Sequence, residues 1–541
     1  MADISHNEDY ANLIEWMVEN KIELSSLIKI DESPLGGVGV FSTADIAEGD
    51  VVLRVPKDCV LSPVTCGIAN LLDEHELDGM IGLTIAYMFE KSQGEKSPWF
   101  GFLKTIRPPD HDLPRFWPEA DRQLLKGTEM DKMGGLDDTE VLETYKDIVA
   151  PFIEANKQLF RGIPAYATYD GYREALVEVT SRAFEVDDYR GLSLVPGACL
   201  FNHSDSENVH FESQGEVCEL CGAANYCDHI AYQEIEFAKM QAQMNQEDND
   251  FEDIDSEEEE EEEEEQEENG EDSCEVDRML VEPDSDIDSS ADEADHDHDD
   301  DCACGHDSTD TSQDSDIDED EPDSCELVVM SDVSAGKELF NTYGEYNNGV
   351  LLSRYGFAIW DNQHESVGLA SQVLQFAKQK DLKPRLKWWA KHFYQCVFDI
   401  DPELYEETVE AILANDPDEP PPPPPDSLTW KDTLEIVSSG QPTPGLILVI
   451  NLLALSPQKF ALLQTQAKRG KYSALPTGAQ GCSKILVSLV NKKLSTYKDA
   501  NLTSQEYAKL INQSDISHNK RLAFTVIGTE KLVLERFLKM F

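Results

Sequence analysis

The stretch LVPGACLFNHS, residues 194–204, places two polar side chains directly after an apolar run. Asn202 and His203 follow Leu200 and Phe201, where the pattern is typical of a protein core. A buried amide and a buried imidazole cost free energy unless hydrogen-bond partners satisfy them. We therefore expect Asn202 and His203 to meet a ligand or another polar segment of the chain.

Two other short segments carry residue types that suit a ligand site. Upstream, Gly37, Val38 and Gly39 belong to GGVGVFST (36–43), where small residues between strands allow a ligand to approach backbone amides. Downstream, FNTYGEYNN (340–348) places Tyr343 beside a glycine at the end of a strand. Each segment alone is typical of an ordinary turn, but their order and combination indicate a shared site.

Five segments of the chain resemble the SET-domain protein methyltransferases, and more narrowly the group of the Rubisco large-subunit lysine methyltransferase. The segments are GGVGVFST, SRAF (181–184), LVPGACLFNHS, FNTYGE (340–345) and LLSRYGF (351–357). The similarity covers nearly the whole chain outside an acidic insert. Within this group the chain looks most like the fungal enzymes that methylate ribosomal proteins.

The resemblance implies an α+β fold of small β-sheets in which CLFNHS and NTYGE are threaded past each other in a knot-like crossing. It divides the chain into an N-terminal helix (1–24), a SET domain (25–362) and an all-helical substrate-binding domain (363–541). The SET domain would contain a helical insertion (66–190) and a second, Cys-rich and acidic insert (214–325). Helical patterns in the sequence independently predict mostly helix in 66–190 and after residue 363.

Local patterns predict the first helix and several strands. Leu13, Ile14, Met17 and Val18 lie at helical spacing after a polar start, which predicts an amphipathic helix. Short apolar runs rich in β-branched residues predict strands at 38–41, 51–55, 207–213, 326–331 and 337–342. The acidic insert is then a long loop between two strands of one sheet.

The resemblance implies S-adenosylmethionine as the cofactor and a lysine side chain as the methyl acceptor. Tyr343 matches the tyrosine at the catalytic centre, which also touches the cofactor. The positions that match cofactor-binding residues of the family are Gly37, Val38, Gly39, Arg182, Asn202, His203 and Tyr343. Tyr355 and Phe211 are the candidates for the walls of the lysine channel. Cys199 stands where related sequences commonly carry an aspartate, so this chain lacks a carboxylate at the matching position.

The chemistry of methyl transfer requires a neutral lysine amine, although a free lysine has a pKa of ~10.4. A narrow apolar channel beside a cationic sulfonium lowers this pKa by desolvation and by repulsion between like charges. Alignment of the reacting atoms then matters more than a strong base. Tyr343 suits this task because its ring can line the channel while its hydroxyl orients the amine or the methyl group.

The net charge of -66 is unevenly distributed along the chain. Between Glu247 and Asp323 there are about 41 acidic residues and one basic residue, Arg278. Such a tract repels itself and buries too little apolar area to offset its ordering entropy, which predicts disorder. It is either a solvated loop expansion or an electrostatic attractant for a basic substrate.

A cluster of metal-ligating residues begins the same insert. Cys218, Cys221, Cys227 and His229 offer four ligands within twelve residues, enough for a tetrahedral zinc site. The alternatives are reduced cysteines without metal, or ligands shared with Cys325 at the far end of the insert.

The acidic composition favours a basic protein as the substrate and disfavours direct binding of nucleic acid, since phosphate contacts need Lys and Arg. A ribosomal protein of the large subunit is the expected substrate. A histone is the alternative substrate, and a non-catalytic binding protein for basic clients is the alternative function. The sequence contains no apolar run long enough for a membrane span and no signal peptide, so we expect a soluble protein of the cytoplasm, the nucleus or both, without a membrane partner.

Overall fold

The computed structural model describes residues 4–107, 113–224, 227–233, 235, 237, 239, 323–398, 429–469, 478 and 481–540. The chain forms two compact units, one of residues 1–222 with 323–541 and one of residues 223–322. In the second unit, residues 228–233 are helical. The predicted disorder of the acidic tract falls on residues 241–322, which lie outside the described residues.

The strands of the first unit form two four-stranded sheets and two pairs of strands. Their bounds are β1 Glu23–Leu24, β2 Ile28–Glu32, β3 Val38–Ser42, β4 Val51–Pro56, β5 Ala183–Glu185, β6 Leu192–Leu194, β7 Asn202–His203, β8 Val209–Ser213, β9 Ser324–Val329, β10 Glu338–Asn341, β11 Ser366–Gly368 and β12 Glu435–Val437. The larger sheets have the strand orders β1-β4-β9-β8 and β2-β3-β10-β7, and the pairs are β5-β6 and β11-β12.

Helices occupy most of the two regions where the sequence predicts them. Their bounds are α1 Ile4–Glu19, α2 Ala69–Asp73, α3 Gly79–Gln93, α4 Phe100–Leu103, α5 Glu119–Arg122, α6 Glu129–Lys132, α7 Thr139–Thr144, α8 Ala150–Ala155, α9 Tyr169–Thr180, α10 Asn348–Tyr355, α11 Ala370–Gln379, α12 Lys383–Phe398, α13 Pro444–Ala454, α14 Pro457–Ala467, α15 Ser483–Leu494, α16 Ser504–Ile511 and α17 His518–Met540. The region 363–541, expected to be all helical, also contains the strand pair β11–β12, whose Val367 and Ile436 are buried in the core of that region. Helices and small sheets together give the α+β class that the sequence predicts.

The second sheet brings together the three segments that suit a ligand site. β7 pairs in parallel with β10, so that Asn202 lies opposite Phe340 and His203 opposite Asn341. β10 in turn pairs antiparallel with β3, which begins at Val38. Segments more than a hundred residues apart therefore meet on three adjacent strands.

The long acidic insert connects two neighbouring strands of the first sheet. β8 ends at Ser213 and β9 begins at Ser324, and every residue of β8 pairs antiparallel with β9. This arrangement confirms the expectation that the insert is a loop between two strands of one sheet. The sheet is complete without the insert, so the length of the loop adds only a slowly growing closure entropy.

Helix α1 differs from its prediction in which residues face the core. Leu13 and Met17 are buried, whereas Ile14 and Val18 are 38% and 71% exposed. Residues four apart lie on one face of a helix, and the next pair is rotated by about 100°. The expected four-residue apolar stripe therefore shrinks to one pair, which contacts the main core of the SET-like sheets.

A buried network of charged residues lies between the helical insertion and the C-terminal helices. The Nζ atom of Lys493 on α15 donates to Glu129 Oε1 at 2.8 Å and lies 3.9 Å from Glu530 Oε2. Glu530 also accepts the backbone N–H of Glu129 at 2.8 Å and the hydroxyl of Tyr497 at 2.6 Å. Lys493 is about 1% exposed. A buried charge is tolerable only when it is paired and hydrogen-bonded, and this network meets both conditions.

Among the described residues, no helix is both long enough and apolar enough to cross a lipid bilayer.

Candidate active site

The Asn202 side chain ties three segments together at the start of β7. Its Nδ2 group donates to the carbonyl oxygen of Val38 at 3.0 Å and to Glu338 Oε1 at 2.8 Å. The other carboxylate oxygen of Glu338 accepts the hydroxyl of Ser33 at 3.1 Å. The polar group that looked costly in the sequence is satisfied by partners from β3 and β10.

The glycines upstream serve this arrangement in two ways. A Cβ atom on Gly39 would lie 2.2 Å from Glu338 Oε1 and 3.0 Å from Asn202 Nδ2, so only glycine leaves room for that pair. Gly37 has a φ of +68°, in the left-handed region that glycine adopts without strain. The sequence suggested that these glycines open the backbone to a ligand, and the structure shows that Gly39 also accommodates a side chain of the protein itself.

The His203 imidazole is a buried link between β7 and the segment after β10. Its Nδ1 atom accepts the backbone N–H of Tyr343 at 3.0 Å. Its Nε2 atom lies 3.3 Å from Asp205 Oδ1, and the side chain is 2% exposed. Burial lowers the pKa of His203, while the carboxylate of Asp205 acts in the opposite direction. The imidazole is therefore neutral at neutral pH.

Tyr343 lies at the centre of a small aromatic cluster. Its ring centroid is 4.7 Å from that of Tyr355, 5.2 Å from that of His203 and 6.2 Å from that of Phe357. The Tyr343 hydroxyl donates to the carbonyl oxygen of Phe201 at 3.2 Å. Burial raises the pKa of Tyr343, so the phenol is neutral and acts as a hydrogen-bond donor.

The remaining residues that the sequence selected include Arg182, Cys199 and Phe211. Arg182 donates to the carbonyl oxygen of Glu178 at 3.0 Å and to Ser181 Oγ at 2.9 Å, and its charge partly opposes the rise in the pKa of Tyr343. Burial raises the pKa of the Cys199 thiol, which therefore stays neutral. Phe211 packs against Phe184, with ring centroids 4.7 Å apart.

Four residues that sequence reasoning did not select also shape the site. They are Asp205, Asn208, Glu338 and Phe357. Asn208 accepts the backbone N–H of Phe340 at 2.8 Å, and its side chain donates to the carbonyl oxygen of Glu338 at 3.3 Å. In the sequence, Phe357 is the last residue of LLSRYGF, and Asp205 is an acidic residue two positions after His203.

No family model matches this chain. Known proteins resemble it in sequence and in fold. Ribosomal lysine N-methyltransferase 3 of Saccharomyces cerevisiae is 28% identical over 558 residues, which cover 93% of this chain and 87% of the relative. N-lysine methyltransferase SETD6 of Rattus norvegicus is 30% identical over 228 residues, which cover 39% of this chain and 47% of the relative.

A crystal structure of the SET domain of LSMT bound to lysine and AdoHcy matches the fold with a TM-score of 0.54 at 16% identity, over 99% of this chain and 91% of that chain. The structure of Rubisco LSMT bound to AdoMet matches with a TM-score of 0.51 at 16% identity, over 98% of this chain and 91% of that chain. The chain is therefore similar in sequence to named lysine N-methyltransferases, and it has the fold of the SET domain of LSMT.

This SET-domain protein also carries the group of cysteines and histidine that the sequence predicts as a zinc site. Cys218 and Cys221 lie in the first unit, and Cys227 and His229 follow in the second, where the Cys227 Sγ atom is 4.0 Å from His229 Nδ1. The backbone N–H groups of Cys221 and Gly222 donate to the carbonyl oxygen of Cys218 at 3.2 and 2.7 Å. The donor set of three thiols and one imidazole fits a structural zinc ion.

We expect zinc to copurify with the SET-domain protein at about one ion per chain. Replacing Cys218 and Cys221 together by serine removes two of four ligands and is expected to abolish the bound metal, because serine is a poor zinc ligand. Metal analysis by mass spectrometry after dialysis measures the ratio. Cys59→Ser, which changes a partly buried cysteine outside the group, should leave the zinc content unchanged. Equal zinc content in the double variant and the wild type would contradict the assignment.

Proposed function

We propose that this protein is an S-adenosylmethionine-dependent protein-lysine N-methyltransferase whose substrate is a ribosomal protein of the large subunit. The observation that carries the proposal is the similarity to a ribosomal lysine N-methyltransferase of yeast over 93% of the chain. The second support is the fold, whose neighbours are bound to lysine, AdoHcy or AdoMet.

The residues of the site suit the roles that the proposal gives them. Asn202, His203, Gly37–Gly39 and Arg182 would hold the cofactor, with the guanidinium of Arg182 directed at its carboxylate. S-adenosylmethionine supplies a methyl group that its sulfonium has already activated. The protein then has to orient the lysine amine, keep it neutral and exclude water.

The aromatic cluster provides the chemistry at the amine. Tyr343 and Tyr355 would wall a narrow channel, with Phe211 as a further candidate on β8. Apolar walls favour the neutral form of a lysine amine, because burial lowers the pKa of an ammonium group. The Tyr343 hydroxyl gives its one proton to the carbonyl oxygen of Phe201, so its lone pair is free to accept an N–H of the amine and orient that amine for in-line transfer.

A basic ribosomal protein matches the charge of this chain. The net charge of -66 attracts basic proteins at a distance, and this attraction weakens as salt is added. Such a substrate places the enzyme in the cytoplasm or the nucleus. The acidic tract follows β8 in the chain, and β8 is joined to β10 of the site through Asn208.

The proposal is tested with the purified protein, radiolabelled S-adenosylmethionine and ribosomal proteins from cells that lack this gene product. We expect one labelled protein of the large subunit, and mass spectrometry should locate the methyl group on a lysine. Label on histones alone would overturn the ribosomal assignment. Binding of a basic client without any transfer of label would favour a non-catalytic binding protein.

A further inference from the structure

Asp205 lies beside the site and faces the imidazole of His203. Its Oδ1 atom faces His203 Nε2 at 3.3 Å. Both atoms are buried, and neither has a hydrogen-bond partner of full geometry among the described residues, so they face each other at 3.3 Å as two buried polar atoms. The Asp205 side chain is 19% exposed, so the pair is largely screened from water.

The hydrogen bond on the other side of the imidazole fixes where its proton lies. His203 Nδ1 accepts the backbone N–H of Tyr343, so this nitrogen carries a lone pair. A neutral imidazole has one N–H group, which must then be on Nε2 and point toward Asp205. Without an acceptor at that position, the Nε2–H group would be buried and unsatisfied. In the opposite tautomer, the Nδ1–H group of His203 would face the backbone N–H group of Tyr343, and neither group could accept a hydrogen bond.

We propose that Asp205 is a positioning residue that holds His203 in the Nε2–H tautomer and thereby fixes the backbone of Tyr343 in the active site. The inference rests on the proposed function, because the reaction it serves is methyl transfer. Carboxylates that orient a histidine in this way are known devices of catalytic and metal sites. The backbone of Asp205 is itself held, since its carbonyl oxygen accepts the side chain of Gln363 at 3.0 Å.

Several charged groups surround the imidazole and bear on its protonation. The carboxylates of Asp205 and Glu207 favour the protonated form, whereas burial and the charge of His364 disfavour it. Burial is the largest of these effects and lowers the pKa of His203. The neutral form that the tautomer argument requires is therefore the one present at neutral pH.

The first test compares three variants, each of which changes one side chain of the same loop. Asp205→Leu removes the acceptor and is expected to lower kcat by about 10- to 100-fold. Asp205→Asn keeps an acceptor oxygen and should restore most of the activity. Glu207→Gln removes a neighbouring negative charge that pairs with His210 at 3.9 Å, and it should leave kcat unchanged. A kcat within twofold of wild type in Asp205→Leu would overturn the proposal, as would an equal loss in Glu207→Gln.

The second test needs no catalysis and so separates this inference from the proposed function. In the full chain with ¹⁵N-labelled histidine, NMR at pH 7 reports which nitrogen of His203 is protonated, with the signal assigned by its loss in His203→Gln. We expect Nε2–H in the wild type and in Asp205→Asn, and a shift toward Nδ1–H or a mixture in Asp205→Leu. A wild-type signal from Nδ1–H, or an unchanged tautomer in Asp205→Leu, would overturn the proposal even if the enzyme is active.

Discussion

Replacing Tyr343 by phenylalanine is expected to lower kcat for methyl transfer by about 100- to 1,000-fold, the typical loss when one preorganised hydrogen-bonding group is removed from a reaction centre. The change removes the hydroxyl that donates to the carbonyl oxygen of Phe201 but keeps the ring that packs on Tyr355. Because burial keeps this phenol neutral, the hydroxyl acts by orientation and not as an anion. Labelled methyl transfer at saturating substrate measures the effect.

The matched control for Tyr343→Phe is Tyr145→Phe. The hydroxyl of Tyr145 also donates to a backbone carbonyl, that of Ala167, at 2.9 Å, but it lies in the helical insertion. The two variants therefore lose the same kind of hydrogen bond, which is worth about 1 kcal/mol of stability in each case. A similar loss of kcat in both variants, or a Tyr343→Phe enzyme with normal kcat, would show that the Tyr343 hydroxyl has no special role in the reaction.

Replacing Lys493 by methionine is expected to lower the free energy of unfolding by about 3 to 5 kcal/mol, because it leaves the buried carboxylate of Glu530 without its cation. Glu129 keeps the Nζ atom of Lys132 at 2.8 Å. Burial opposes the charge on Lys493, yet the carboxylates of Glu530 and Glu129 raise its pKa overall, so the ammonium group is charged in the folded protein. Methionine preserves most of the volume of the side chain, which separates the electrostatic loss from a cavity. Urea unfolding followed by fluorescence measures the change.

Two variants of the same network control this experiment. Burial holds the pKa of Glu365 well above its usual range, so this carboxyl is protonated at neutral pH, and Glu365→Gln should change stability little. Adding Glu530→Gln to Lys493→Met removes the unpaired charge and should recover part of the lost stability. A Lys493→Met protein as stable as the wild type would mean that water or a rearranged partner satisfies that carboxylate.

Much of the architecture follows from patterns that are local in the sequence. Short runs rich in β-branched residues predict β3 and β4, and glycine-rich segments mark the turns that join them. The order of GGVGVFST, LVPGACLFNHS and FNTYGE predicts that these segments share a site, and β7, β10 and β3 do lie side by side. The four candidate zinc ligands can also be recognised from the sequence, because they span only twelve residues.

The hydrogen-bonded partners within the site could not be predicted in this way. Asn202 and Glu338 are 136 residues apart, and His203 and Tyr343 are 140 apart. Both pairs depend on the register of β7 against β10, which puts Asn202 opposite Phe340. A shift of one residue in that register would turn every side chain of the strand to the other face.

The sequence by itself determined which residues are chemically capable, namely the amide, the imidazole, the phenol and the glycines, because residue type and order are properties of the chain. Only the tertiary structure decided that Gly39 makes room for Glu338, that Asp205 faces His203 and that Phe211 packs on Phe184. The physical reason is the distance along the chain that separates the residues in contact. Patterns along a chain record neighbours within a helical turn or a strand, whereas the site is made by contacts between strands that are distant in the sequence.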